Sequence, residues 1–222
     1  MGQSGQPAAV ANGALGASAA APEPVPGEPE LDALLTELLE KPEDWNDIVG
    51  RIEATFTNTV AIMVLDMSGF SRQTLDRGIT AFLLMIHQMQ LLAMPSVEDN
   101  GGTLIKAEAD NLFCVFDSVD DALAASREIT VRLETANLIL PKERRLYASI
   151  GIGYGPVLNI GNKDLWGAEM NIASKLGEDV AQLGQIMMSE AAKSKLDDSV
   201  HVLEECVLSV SGMELKYFLL ES

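Results

Sequence analysis

The chain has 222 residues, 47% of them hydrophobic, enough for one domain with a substantial core or one domain plus an appendage. Acids outnumber bases 33 to 15, for a formal net charge of −18. That field repels nucleic-acid polymers and anionic membranes, while a small anion still binds where a few cations or metals are concentrated. No apolar run approaches about 18 residues, so no membrane span is expected. No Lys or Arg precedes Lys41, so the basic start of a secretory signal is missing. Cys114 and Cys206 lie in apolar strand-like runs and read as core thiols of a reducing compartment. The expectation is a soluble, cytoplasmic protein.

Residues 1–28 are mostly Ala, Gly, Pro and Gln and read as a disordered leader, because they bury too little apolar surface to offset ordering. Leu31, Leu34, Leu35, Leu38 and Leu39 predict a short amphipathic helix ending near Pro42, and Trp45, Ile48, Val49, Ile52 and Phe56 a second, with Asp44 as its cap. Residues 29–58 thus form a helical unit that packs on the same chain's core or pairs with a second copy, the former being favoured. It is also the place where an unidentified regulator would dock. Val60 to Leu65 suits a strand buried on both faces, ended by Asp66 and a Ser-Gly turn. Ile79, Phe82, Leu83, Ile86 and Met89 line a helix running to about Pro95, which Gly101-Gly102 stops.

A hairpin follows, with Thr103–Ile105 and Leu112–Phe116 as arms and a charged bend from Lys106 to Asp110. Asp117 or Ser118 caps a helix that turns Ala122, Ala125, Ile129, Val131 and Leu133 to the core. Leu146–Tyr154 is a strand bent by Gly155-Pro156, and Asn159–Lys163 a polar loop leading to Asp164. A helix from about Ala168 to Leu183 buries Met170, Ala173, Leu176, Val180 and Leu183, and Gly184 ends it. Gln185–Met188 is a short strand, Ser189 caps a small helix, and Val200–Val210 with Leu215–Leu220 closes as a hairpin turning near Gly212-Met213. The order defines an α+β fold of the ferredoxin-like, split βαβ type, a sandwich of helices on a mostly antiparallel sheet.

Three clusters carry chemistry. Asp66 suits either an N-cap or a metal ligand at a strand end. Lys106 and Asp110 suit either a solvated turn or the grip on a metal or polyphosphate. Asp164, Asn171 and Lys175 suit either a helix-dipole acid with surface residues or a ligand-reading set. In the split βαβ order, the first strand and the hairpin are neighbours, so Asp66 and Asp110 emerge together and call for cations between them.

Taken together, the motifs resemble the class III nucleotidyl cyclases, over about Thr59 to Leu220. Val64-Leu65-Asp66-Met67-Ser68-Gly69-Phe70-Ser71 is similar to the family's first metal motif. Gly101-Gly102 with Lys106 and Asp110 resembles its second. Gly151-Ile152-Gly153-Tyr154-Gly155-Pro156-Val157 is similar to its glycine-rich strand, and Asp164 to Leu176 to its Asp-x-x-Gly-x-x-x-Asn-x-Ala-Ser-Arg-Leu helix. The resemblance makes residues 59–222 the catalytic domain. It implies that Asp66, Asp110 and the Met67 carbonyl hold two Mg²⁺ (or Mn²⁺) ions. It also implies that amides of Ser68, Gly69, Phe70 and Ser71 contact phosphate, that Lys106 and Asp164 read adenine, and that Asn171 orients the ribose.

The implied activity is an adenylate cyclase converting ATP to 3′,5′-cyclic AMP in a head-to-tail homodimer. The alternatives are a non-catalytic nucleotide-binding domain on this fold and a cyclase for a pyrimidine nucleotide or GTP. Two positions depart from the family. Lys175 stands where the transition-state arginine is usual, keeping the charge without the fork. Ser211 stands where a phosphate-binding lysine is usual, with Lys163 or Lys216 as candidate replacements. Ala109 for Gly before Asp110 is expected to be mild.

Overall fold

The structure is a computed structural model that describes residues 25–68, 78–196, 201–210 and 213–221. Helices α1 (Glu28–Glu40) and α2 (Trp45–Phe56) flank a 3₁₀ turn at Pro42–Asp44. They are followed by β1 (Thr57–Met67), α3 (Ile79–Asp99), β2 (Thr103–Glu108), β3 (Asn111–Phe116) and α4 (Val119–Asn137). Then come β4 (Ala148–Ile160), β5 (Asp164–Trp166), α5 (Ala168–Ser174), β6 (Ile186–Ser189), α6 (Glu190–Lys193), β7 (Leu203–Val210) and β8 (Met213–Leu220).

The sheet runs β2-β3-β1-β4-β6-β8-β7, with β5 folded back on β4. Apart from the parallel β4–β6 pair, every pairing is antiparallel. The β2-β3-β1-β4 half is the split βαβ arrangement expected from the element order. Helices cover both faces. Ala61, Met63, Leu65 and Met67 of β1 join Met85, Met89, Ala93 and Val97 of α3 and Ala122, Ala125 and Ile129 of α4 in the main core. Ile62 and Val64 pack on the other side against Val157, Leu165, Met170 and Ala173. A third cluster, Ile48, Ile52 and Phe56 with Ile160, docks α2 on the same chain, while α1 buries no residue.

Gly151 explains how α5 comes so close to β4. A Cβ there would overlap the Ala173 carbonyl and lie 2.6 Å from the Gly177 nitrogen, so helix backbone rests on strand backbone. At this contact the helix widens into a π turn, Lys175–Val180, instead of running to Leu183, which is exposed. Other sequence expectations are also corrected. α3 passes through Pro95 to Asp99 because Val97 is fully buried in the main core, a tertiary gain that outweighs one missing helix bond. Val131 faces solvent. Asp44 makes no side-chain cap bond, whereas Ser118 accepts from the Asp121 N–H at 3.1 Å and Ser189 from Ala192 at 3.1 Å. β4 continues past Pro156 to Ile160, so Asp164 opens a strand rather than ending a loop.

α3 is also long and apolar enough to cross a membrane by length and composition. His87, Gln88 and Gln90 interrupt its apolar runs, which is why counting consecutive residues passes over it. Its inner face nevertheless belongs to the main core. Most of the expected leader, and the turn at Gly212, lie outside the described residues.

Candidate active site

Side chains alternate along β1, so Asp66 lies with Ile62 and Val64 on the face that carries α5. It is half-buried, in register with Asn111 of β3 and Ser149 of β4. Burial raises its carboxyl from 3.8 to about 6. The charges of Asp110, Glu178 and Asp179 push the same way, and a hydrogen bond from the Met67 N–H opposes them. Asp110 sits in the two-residue turn between β2 and β3, near enough for its charge to act on Asp66. Lys106 to Glu108 are in strand, and the bend is only Ala109-Asp110. Ala109 has φ 52°, a left-handed conformation that costs a residue with a Cβ roughly 1–2 kcal/mol. The substitution of glycine there is therefore not mild.

The sequence reading does not single out Glu178 and Asp179. They project from the π turn, and Glu178 is raised by burial and by Asp179, Glu108 and Asp110, against a lowering bond from Ser174. The available signal was an adjacent acid pair just beyond Lys175. Acids from β1, the β2–β3 hairpin and the π turn thus share one field. Lys175 Nζ meets Asp179 Oδ2 at 2.6 Å, and Asn171 is exposed one turn earlier on α5. Glu169, also missed, anchors that helix: its Oε2 accepts from the Tyr154 N–H at 3.2 Å and from Ser189 Oγ at 2.7 Å, tying α5 to β4 and β6.

Lys106 and Asp164, distant in sequence, are brought together. Lys106 Nζ is 2.9 Å from Asp164 Oδ1, 3.4 Å from Glu108 Oε2 and 4.9 Å from the Phe113 ring centroid. The hydrogen bond to Asp164 is the main reason the ammonium's pKa is raised. Asp164 Oδ1 also accepts from the Leu165 N–H at 3.0 Å.

Other expected residues fall differently. The Ser68 amide bonds the Tyr147 carbonyl at 3.0 Å and its hydroxyl bonds Ser149, so Ser68 extends the β1–β4 pairing and its amide is not directed to an anion. Met67 buries its side chain in the main core. Gly69, Phe70, Ser71 and Ser211 lie outside the described residues. Lys216 is not a replacement cation: β8 is three places from β1 in the sheet, and Lys216 pairs there with Glu205 at 3.2 Å and Glu190 at 3.6 Å. Lys163 is exposed in the β4–β5 turn.

A divalent cation fits this donor set. Asp66 and Asp110 are hard oxygen donors whose mutual repulsion a cation would relieve, and the Asn111 side-chain oxygen beside them is buried without a hydrogen-bond partner. Among the described residues no three His, Cys, Asp or Glu side chains converge as a ready cage. That suits Mg²⁺ or Mn²⁺, which take one or two carboxylates and complete their shell with water and substrate phosphate.

The family described as adenylate and guanylate cyclase catalytic domain matches residues 52–222, and the chain belongs to it. It is a class III nucleotidyl cyclase catalytic domain, a family of lyases that generally uses divalent metal ions, binds a nucleotide substrate and often acts as a dimer. The adenylate/guanylate cyclase/hydrolase of Silicibacter pomeroyi has a similar fold, with TM-score 0.64 and 23% identity, over 74% of this chain and 96% of that one. The guanylyl cyclase Cya2 matches with TM-score 0.62 and 21% identity, over 74% and 91%. Among curated proteins, serine/threonine-protein kinase pkn2 of Myxococcus xanthus is 24% identical over 157 residues, 71% of this chain but only 19% of its own length.

Proposed function

We propose that the chain is an adenylate cyclase that forms 3′,5′-cyclic AMP and pyrophosphate from ATP in the cytoplasm, with its site completed by a second copy. The observation that carries this reading is the Lys106–Asp164 pair at 2.9 Å, on the sheet face that also bears Asp66. A cationic donor beside an anionic acceptor matches the ring nitrogen and exocyclic amine of adenine. Guanine presents a donor and a carbonyl at those positions.

In this reading Asp66 and Asp110 hold the divalent ions, with the Met67 carbonyl assisting. Bound there, the ions supply charge neutralisation of the triphosphate and of the 3′-hydroxyl that attacks the α-phosphorus. Lys106 and Asp164 fix the base, Asn171 orients the ribose, and Lys175 places a positive charge near the leaving phosphates. Lys163 stands as the further cation, in place of the lysine absent at Ser211. The two-copy site is supported by the family habit and by the position of Asn171 on an exposed helix face.

Incubating the full chain with Mn²⁺ and an equimolar nucleotide mixture, followed by mass spectrometry of the products, tests the assignment. Cyclic AMP should dominate and vanish in Asp66→Ala. A different dominant cyclic product, or none above the Asp66→Ala background, defeats it. One observation favours a second reading, a non-catalytic nucleotide sensor: Lys175 is already neutralised by Asp179 at 2.6 Å. Calorimetry showing ATP binding without turnover would select that reading.

A further inference from the structure

A cavity of about 1080 Å³ separates α1 from the β4–β5 hairpin. One wall carries Lys106, Asp164 and Trp166, and the opposite wall carries Leu31, Asp32 and Leu35 of α1. α1 borders this space and is fixed at both ends. At its start the Pro26 carbonyl accepts from the Gly161 N–H at 2.8 Å, and farther along Glu37 pairs with Arg51 of α2 at 2.9 Å. Between these anchors Leu31, Leu34 and Leu38 are half-buried against Ile48, Ile52, Phe56 and Ile160, while Leu35 is left 43% exposed beside the cavity. Trp166, two residues past Asp164, is 62% exposed and presents its indole to the same space.

A nucleobase needs flat apolar surface for its faces and polar groups at its edge. The cavity supplies both. The Trp166 indole and the α1 leucines are the apolar surfaces, Lys106 and Asp164 are the edge readers, and Asp32 adds an acceptor at the rim. Acceptors outnumber donors in the lining, Glu28, Asp32 and Asp164 against Lys106 and Lys163, which favours an exocyclic amine over a carbonyl.

We propose that α1 is the outer wall of the nucleobase pocket, that the purine ring of the substrate lies between Trp166 and Leu31/Leu35, and that Asp32 helps select adenine. This rests on the reading of Lys106 and Asp164 as base readers. It makes the N-terminal helix part of the substrate site rather than only a place for a regulator.

The test uses the full chain. Leu35→Glu, at an exposed position, should raise KM for ATP about tenfold and leave kcat within about twofold. Asp32→Asn should move the ATP-to-GTP ratio of kcat/KM at least about fivefold toward GTP. In parallel, hydrogen exchange of amides 28–40 is followed with 3′-deoxy-ATP, which lacks the attacking hydroxyl. Exchange should slow in the wild type and stay unchanged in Lys106→Ala. Unaltered KM in Leu35→Glu, or α1 exchange that is unchanged or faster with the nucleotide, overturns the proposal. Because the exchange readout needs binding but no product, it separates failure of the wall from failure of the cyclase assignment.

Discussion

Replacing Asp66 by Asn should make the metal-free protein more stable while removing its activity. The Asp66 carboxyl is raised from 3.8 to about 6 by burial and by three neighbouring acids, so at neutral pH its ionised form is held at a cost. Two units would amount to about 3 kcal/mol at about 1.4 kcal/mol each. Because the side chain is only half-buried, solvent screening reduces this to on the order of 1–2 kcal/mol. A carboxyl whose folded pKa is raised favours the folded state while protonated. The cost is therefore absent below about 3.8, grows between there and about 6, and is complete above about 6. Asn keeps an oxygen to accept the Met67 N–H and carries no charge. In EDTA at pH 7.5, Asp66→Asn should melt about 2–8 °C higher than wild type. The difference should close by about pH 4, as the raised pKa requires. Mn²⁺ should raise the melting temperature of wild type and not of the variant. An Asn variant no more stable than wild type at pH 7.5, or an advantage that persists at pH 4, would refute the electrostatic account of this site.

Three further outcomes are expected. Ala109→Gly relieves a left-handed alanine at φ 52° and should add roughly 0.5–1 kcal/mol in urea unfolding, after the entropy that glycine gives the unfolded chain; a loss of stability would contradict the turn geometry. Gly151→Ala drives a methyl into the Ala173 carbonyl and to 2.6 Å from the Gly177 nitrogen. Because both are backbone atoms, it should cost at least about 3 kcal/mol and lower cyclase turnover with it, read by thermal melting and a product assay. Asp179→Asn frees Lys175 from its 2.6 Å partner and should raise kcat severalfold while changing stability by under about 1 kcal/mol, since the pair is largely exposed; an unchanged or lower kcat would show that the pairing does not restrain the lysine.

Much of the fold was legible along the chain. The apolar run ahead of Asp66, the strand pair around Lys106–Asp110 and the Gly-x-Gly-x-Gly spacing of β4 each follow from backbone periodicity and from where a side chain cannot fit. Periodicity misled where a residue's environment came from another element. Val131 and Leu183 have the right spacing for a core and yet face solvent, because no element among the described residues covers them. Pro95 looked like a helix end and is inside one, because burial of Val97 in the main core sustains the next turn.

The site divides in the same way. Residue type and spacing, together with the family resemblance, singled out Asp66, Asp110, Lys106 and Asp164 as candidates. That Lys106 already holds Asp164, that Glu178 and Asp179 share the field of Asp66, and that α1 borders the space beside them was decided by tertiary structure alone. Sequence determines the local order of apolar and charged groups, because backbone geometry repeats over a few residues. Coulomb energies and cavity walls depend on distances between groups far apart in the chain. Those distances exist only once strand register and helix docking are set.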